Sequence, residues 1–287
     1  MMPLREAWRE ATRRLQASGS DSARRDAELL MLRVLGQDSM WLRLHDDECF
    51  SPEQAQQFAA LLLRRERGEP VAHLTGERGF WTLDLHVNAH TLIPRPETEM
   101  LVEFALEKIP VSAAASILDL GTGSGAIALA VKSERPACLV TAVDASAGAL
   151  AVARDNGVRL GLSVEFLLSD WFSALGSRRF QLILSNPPYI PADDVHLGQG
   201  DVRFEPRTAL VSGADGLDDV RTLVQEAPLH LLPDAWLALE HGHDQAPQVR
   251  AIMQAAGFRQ VDSRRDLNGH ERITFGCYTG GTSNAER

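Results

Sequence analysis

Residues 116–132 place a buried strand, a glycine turn and a helix in immediate succession, and few folds accommodate that run. Ser116-Ile-Leu-Asp-Leu120 reads as the strand, Gly121-Thr122-Gly123-Ser124-Gly125 as the turn, and Ala126 to Lys132 as the helix. Glycines at such a turn let backbone come close to a ligand, with the N–H groups of the helix facing it. The next strand, Leu139 to Val143, ends in Asp144. That is about 20 residues after the loop, where an acid can bind ribose hydroxyls. A third strand, Val164 to Leu168, ends in Ser169-Asp170-Trp171, which offers Asp170 for an adenine amino group and Trp171 for its face. The fourth, Phe180 to Ser185, ends in Asn186-Pro187-Pro188-Tyr189. Alternating strands and helices predict a parallel α/β sheet, whose ligands lie outside the carboxyl ends of the strands. Suitable polar or glycine residues at successive strand ends therefore predict a nucleoside-type cofactor. The loop is GxGxG preceded by Asp119 rather than the GxGxxG of dinucleotide sites, so a nucleotide-dependent oxidoreductase ranks last.

Asn186-Pro187-Pro188-Tyr189 cannot continue a sheet, because proline donates no ladder hydrogen bond. Its chemistry suits a planar NH2 group. The Asn186 side-chain oxygen and the Pro187 carbonyl are two acceptors on a rigid frame, and an NH2 group presents two donors. Gripping both hydrogens pulls the nitrogen towards tetrahedral geometry and localises its lone pair. Tyr189 offers a ring to stack on the flat face of an amide or base. Alone, the tetrapeptide reads rather as a proline-rich turn with an aromatic plug. Its place at the end of the fourth strand favours the functional reading.

The flanks are of a different kind. Over residues 1–75, Trp8, Ala11, Thr12 and Leu15 recur at helical spacing, then Ala27, Leu30, Met31 and Val34, then Ala55, Phe58, Leu61 and Leu62. Ser20 or Asp21 can cap the second helix, and Ser51-Pro52-Glu53-Gln54 carries a capping-box start for the last. The arginines of this module suit either a solvated face or a partner-recognition surface. Residues 76–110 read as a linker. Gly76 and Gly79 flank a turn, Phe80 to Val87 alternates like a hairpin, and Leu92-Ile-Pro-Arg-Pro-Glu-Thr-Glu99 leads into a helix from Met100 to Lys108. Thr98 or Glu97 can serve the start of that helix, and Glu97 or Glu99 can alternatively face a cationic cofactor. Residues 111–278 form the sheet domain. Within it Asp218 to Leu232 reads as a helix ending at Pro233, Ala235 to Leu239 as a fifth strand, and 258–275 as a terminal antiparallel hairpin through Asn268-Gly269. Glu205 is either a loop anchor or a substrate contact. His241 and His243 read as surface-loop residues, since no third metal ligand stands at a sensible spacing. Residues 279–287 read as a disordered tail.

Composition excludes several classes. A net charge of −10 argues against a protein that grips long duplexes by neutralising phosphates. Cys49, Cys138 and Cys277 have neither CxxC nor zinc spacing, which predicts reduced thiols and a cytoplasmic protein. No run approaches the roughly 20 apolar residues of a membrane span. The expectation is a monomer without a metal, a membrane or direct contact to nucleic acid.

DxGxGxG, an acid after the second strand, Asp-Trp after the third and Asn-Pro-Pro-Tyr after the fourth resemble a class I S-adenosylmethionine-dependent methyltransferase acting on a planar nitrogen. More narrowly, Leu92 to Glu99, Asp119 to Ala128, Ser169 to Phe172, Ser185 to Ile190 and Arg203 to Leu210 together resemble the PrmC/HemK family. Its members are the N5-glutamine methyltransferases of peptide chain release factors. The resemblance covers nearly the whole chain and implies a Rossmann-like, seven-stranded sheet with a terminal antiparallel hairpin, behind a small all-helical substrate-recognition domain. It implies methyl transfer from S-adenosylmethionine to the glutamine side chain of the release-factor Gly-Gly-Gln motif, tuning translation termination. Gly121, Thr122, Gly123, Ser124, Gly125, Asp144, Asp170, Trp171 and Asn186 would hold the cofactor. Asn186, Pro187, Pro188 and Tyr189 would hold the substrate, with Asn186, Pro187 and Tyr189 taking part in catalysis. The alternatives are amino-group methylation of a nucleic-acid base or of a ribosomal-protein glutamine.

Overall fold

The computed structural model describes residues 2–280, so the last seven residues of the expected disordered tail lie outside the described residues. Two compact units emerge, Met1–Glu77 with His196–Phe204, and Arg78–Val195 with Glu205–Arg287. The first is helical: α1 (Leu4–Ala17), α2 (Ala23–Leu35), α3 (Ser39–Leu44), α4 (Pro52–Glu66) and α5 (Val71–Thr75). Leu4, Leu15, Leu30, Met31, Phe58 and Leu62 form its core. The capping box at α4 is complete: Gln54 N donates to Ser51 Oγ at 3.1 Å, and Ser51 N donates to Gln54 Oε1 at 2.9 Å. At α2 the expected caps are used differently. The Ser20 and Ser22 hydroxyls both donate to buried Asp26, at 2.8 Å each, and Arg65 Nε donates to the same carboxylate at 2.8 Å. Arg65 also reaches Asp201 at 3.0 Å, while Arg14 pairs with Glu66 and Arg64 with Glu69. These arginines are spent on internal pairs. The short helices α3 and α5 escape periodicity because each spans fewer than two turns.

The second unit opens on a hairpin, β1 (Glu77–Phe80) and β2 (Leu83–His86), followed by α6 (Glu99–Lys108). The hairpin turns at Trp81, at φ +57°, and not between Gly76 and Gly79; Gly76 closes α5 instead. Trp81 N donates to Glu99 Oε1 at 2.8 Å and its indole N–H to Glu134 Oε1 at 2.8 Å, so Glu99 serves to hold this turn.

Then come β3 (Ser116–Leu120), α7 (Ala126–Glu134), β4 (Leu139–Asp144), α8 (Ala147–Leu160), β5 (Glu165–Leu168) and β6 (Phe180–Ser185). The chain finishes with α9 (Asp218–His230), β7 (Leu231–Glu240), α10 (Ala246–Ala255), β8 (Arg259–Arg265) and β9 (Glu271–Tyr278). The sheet has seven strands in the order β5-β4-β3-β6-β7-β9-β8, parallel except for the pairings of β9. Alternate residues of a strand face opposite sides. Ile117, Leu182 and Leu184 accordingly join one core with Leu101, Phe104 and Leu129, while Leu118, Leu120 and Ile183 join the other with Val220, Leu223 and Val249. Helix α9 stops at His230 rather than at Pro233, because Leu231 is already buried in the sheet beside Phe180. All three cysteines are free, and no helix among the described residues is long and apolar enough to cross a membrane.

Candidate active site

Strand order reverses at β3, with β4 on one side and β6 on the other, and a crevice opens at such a switch point. Leu120 lies opposite Ser185 across that pair, so the glycine loop and Asn186 emerge side by side. The Ser185 hydroxyl donates to Leu120 O at 2.7 Å and fastens the two strand ends together. Around them lies a cavity of about 570 Å³, within the range of small-molecule sites.

The glycine loop is held from behind. Thr122 N donates to Val143 O at 2.9 Å, and the Thr122 hydroxyl donates to Asp119 Oδ2 at 2.6 Å. Ala128 N donates to the same oxygen at 3.2 Å, which ties the start of α7 to β3. Asp119 is buried, and burial pushes its carboxyl up to about 7 against those two bonds. Gly123 adopts φ +56° and no atom comes within 4 Å of where its Cβ would stand, so a side chain there would project into open space beside the cavity. Gly125, at φ +86°, has Leu129 Cδ1 2.9 Å from its would-be Cβ, so a larger residue there would strain the backbone and push the Leu129 side chain aside.

Asn156 supplies a further tie. Its Nδ2 donates to Ser124 O at 2.9 Å and to His86 O at 3.0 Å, and its Oδ1 accepts from His86 N at 2.7 Å. One buried amide thus joins the loop to β2. It looks in sequence like any polar residue of a helix, and only its full burial betrays it.

Asp144 lines the cavity at the end of β4. Its Oδ2 accepts from Gly123 N at 2.9 Å and its Oδ1 from Ser146 N at 2.8 Å. Burial raises its pKa, with both backbone bonds opposing. Each oxygen keeps a second lone pair for a ligand hydroxyl. Trp171 and Asp170 line the cavity after β5. The indole lies 3.3 Å from the position a Cβ on Gly121 would take, so that glycine makes room for the ring.

Of the tetrapeptide, Asn186 and Pro188 line the cavity. Asn186 Nδ2 donates to Thr98 Oγ1 at 3.2 Å, while its Oδ1 is buried with no hydrogen-bond partner among the described residues. A buried acceptor of this kind is costly unless a ligand donor meets it. Pro187 is buried. Tyr189 does not line this cavity; its phenol stands near Glu240, Arg272, Arg95 and Glu97. Burial and the Glu240 charge raise its pKa, which keeps the hydroxyl protonated.

Thr98, the expected cap of α6, makes no side-chain cap bond and turns its hydroxyl to Asn186. His90, Thr91 and Leu92 also line the cavity, ahead of the Pro-Arg-Pro stretch, and carry no sequence signal of that role. Glu205 is the anchor of its loop. Its Oε1 accepts from Ile93 N at 2.9 Å and its Oε2 from Arg95 Nη2 at 2.6 Å, with the carboxylate fully buried. Substituting Glu205 with Ala should lower stability by about 2–3 kcal/mol in urea unfolding, short of the largest buried-pair losses because Arg95 is 31 % exposed and can rehydrate. No measurable loss would contradict the anchoring role. His241, expected on the surface, is buried; its Nε2 lies 2.7 Å from Thr274 Oγ1, and burial lowers its pKa. Among the described residues no cluster could hold a metal ion.

Comparison with known proteins agrees with this geometry. Residues 6–76 match the PrmC N-terminal domain family and residues 97–200 the methyltransferase small domain family. A release factor glutamine methyltransferase of Pseudomonas aeruginosa is 53% identical over 91% of this chain and 95% of its own. That of Escherichia coli is 48% identical over 94% of this chain and 97% of its own. A solved methyltransferase from Pyrococcus furiosus, 20% identical, shares the fold with a TM-score of 0.53 over 78% of this chain and 98% of its own. With relatives this similar along nine-tenths of its length, the chain belongs to the release factor glutamine methyltransferase family.

Proposed function

We propose that this protein methylates the side-chain amide nitrogen of the glutamine in the Gly-Gly-Gln motif of peptide chain release factors. The methyl donor is S-adenosylmethionine, which supplies an electrophilic methyl group on a sulfonium. The residues present fit it: an open glycine turn, an acid with spare lone pairs and an indole bound one cavity, and a buried acceptor lacks only a donor. In this reading Gly121 to Gly125 pass beneath the cofactor, Asp144 takes its ribose hydroxyls, and Asp170 and Trp171 take its adenine.

The observation that carries the reading is Asn186 Oδ1, a buried acceptor held at the sheet switch point with its own amide nitrogen tied to Thr98. An amide nitrogen is a poor nucleophile because its lone pair is delocalised into the carbonyl. Asn186 Oδ1 and the Pro187 carbonyl accept its two hydrogens and turn the lone pair outward. The N–C bond then forms as the C–S bond breaks, with the electron pair leaving on sulfur. The methylated nitrogen is strongly acidic and sheds its extra proton to solvent, so no general base is required. Alignment of donor and acceptor accounts for roughly 7–11 kcal/mol of barrier at most, and fixed acceptors stabilise the charge developing on nitrogen. In this reading Tyr189, which follows Pro188 of the cavity lining, would meet the substrate rather than the cofactor.

The same reading has a monomer working in the cytoplasm on a protein substrate, with the helical unit in recognition. A net charge of −10 supports a protein over a nucleic-acid substrate. Radiolabelled S-adenosylmethionine offered with purified release factor, ribosomal protein or ribosomal RNA tests it. Label should enter the release factor; label in either alternative alone would overturn the substrate assignment.

A further inference from the structure

We propose that Ser169 is a positioning residue for the cofactor, holding Trp171 in the left-handed backbone conformation that presents its indole to the adenine. The inference rests on the reading above, in which Trp171 takes that ring. Trp171 stands at φ +44°. Glycine and asparagine accept that region readily, whereas a bulky side chain there is a genuine outlier. Strain of this kind persists only where the surroundings over-determine it. Here one buried hydroxyl does so.

Ser169 is buried just after β5. Its hydroxyl donates to Trp171 O at 2.7 Å and accepts from Ala174 N at 3.0 Å. Its own N–H donates to Asp144 O at 3.0 Å. A hydroxyl has one hydrogen, and the short bond to Trp171 O claims it. Ser169 thus fixes the carbonyl that follows the strained φ. It also ties that carbonyl to the backbone of the acid proposed to take the ribose.

Two cavities show what this tie prevents. Asp170 and Trp171 line both the cofactor cavity and a second one of about 290 Å³, whose wall also carries Thr222, Glu226 and His230. On the cofactor side, the indole comes to 3.3 Å from where a Cβ of Gly121 would stand. Relaxing Trp171 to an ordinary negative φ would redirect its side chain away from Gly121, and the second cavity gives it somewhere to go.

Spectroscopy, binding and turnover test the inference together. Fluorine NMR of cofactor-free protein labelled with fluorotryptophan resolves Trp171, assigned by the loss of its signal in Trp171→Phe. That signal should move and broaden in Ser169→Ala, while those of Trp8, Trp41, Trp81 and Trp236 stay and show the fold intact. By calorimetry, Ser169→Ala should weaken S-adenosylmethionine about 10-fold, the worth of one hydrogen bond. In turnover the loss should fall in KM for the cofactor rather than in kcat. If Ser169 acts through the ring, Ser169→Ala adds almost nothing to the affinity lost in Trp171→Ala; a merely structural serine would add its cost in full. An unmoved Trp171 signal, native cofactor affinity in Ser169→Ala, or additive losses would overturn the inference. Native affinity in Trp171→Ala would sink the assignment of the indole to the adenine and the inference with it. The fluorine spectrum, recorded without cofactor, separates that failure from a failure of Ser169 to hold the ring.

Discussion

Replacing Asn186 with alanine should leave S-adenosylmethionine affinity within a few fold of the native value and lower kcat by roughly 100- to 1,000-fold, the cost of one preorganised polar group aimed at developing charge. The reason is positional. Asn186 lines the same cavity as the glycine loop, Asp144 and Trp171, and in the proposed reading those residues, not Asn186, carry the cofactor. The side-chain oxygen contributes mainly when the amide nitrogen begins to pyramidalise, so its loss should appear in kcat and kcat/KM together rather than in KM. Calorimetry for the cofactor and single-turnover kinetics for the methyl transfer separate the two. Native turnover in the variant would remove the acceptor pair from the mechanism. Equal losses in cofactor affinity and kcat would make Asn186 a cofactor ligand first.

Asn156→Ala should cost about 3–5 kcal/mol of stability, because it removes the side-chain partner of three backbone groups: Ser124 O, which is buried, and His86 N and His86 O, which are partly so. Each orphaned group costs about 1–3 kcal/mol unless water reaches it. Residue 156 is fully buried, so the alanine variant also leaves a polar cavity. The effect should extend to function, since Ser124 lines the cavity as part of the glycine loop proposed to hold the cofactor. Cofactor binding should weaken along with the urea midpoint, and amide exchange should rise in residues 121–125 and 83–86. A loss below about 1 kcal/mol would mean that a water takes over the three bonds.

Both variants touch the same few strand ends, and these were the most legible part of the sequence. Runs such as Leu182 to Leu184 are buried on both faces, so they read as continuous apolar strands, and whatever polar residue follows them stands out. The residues that tie the site together were not legible for a matching reason. Thr98 stands where a helix cap would stand, and only its hydrogen bond shows that the hydroxyl faces Asn186. Glu240 and His241 are both buried at the end of β7, although a run of charged and histidine residues after a strand reads as exposed. Glu205 left two readings open that its bonds to Ile93 and Arg95 decide in favour of an anchor. Side-chain pairing over long sequence separations leaves no periodicity, and it is this pairing that fixes orientation within the site.

The central claim is a reaction on one glutamine. Unmethylated release factor, incubated with this protein and S-adenosylmethionine and then analysed by intact mass and tryptic mapping, tests it most directly. The account predicts a gain of a single methyl group, on the glutamine of the Gly-Gly-Gln peptide. No gain in mass while the cofactor is shown to bind, or a methyl group on any other residue, would contradict it.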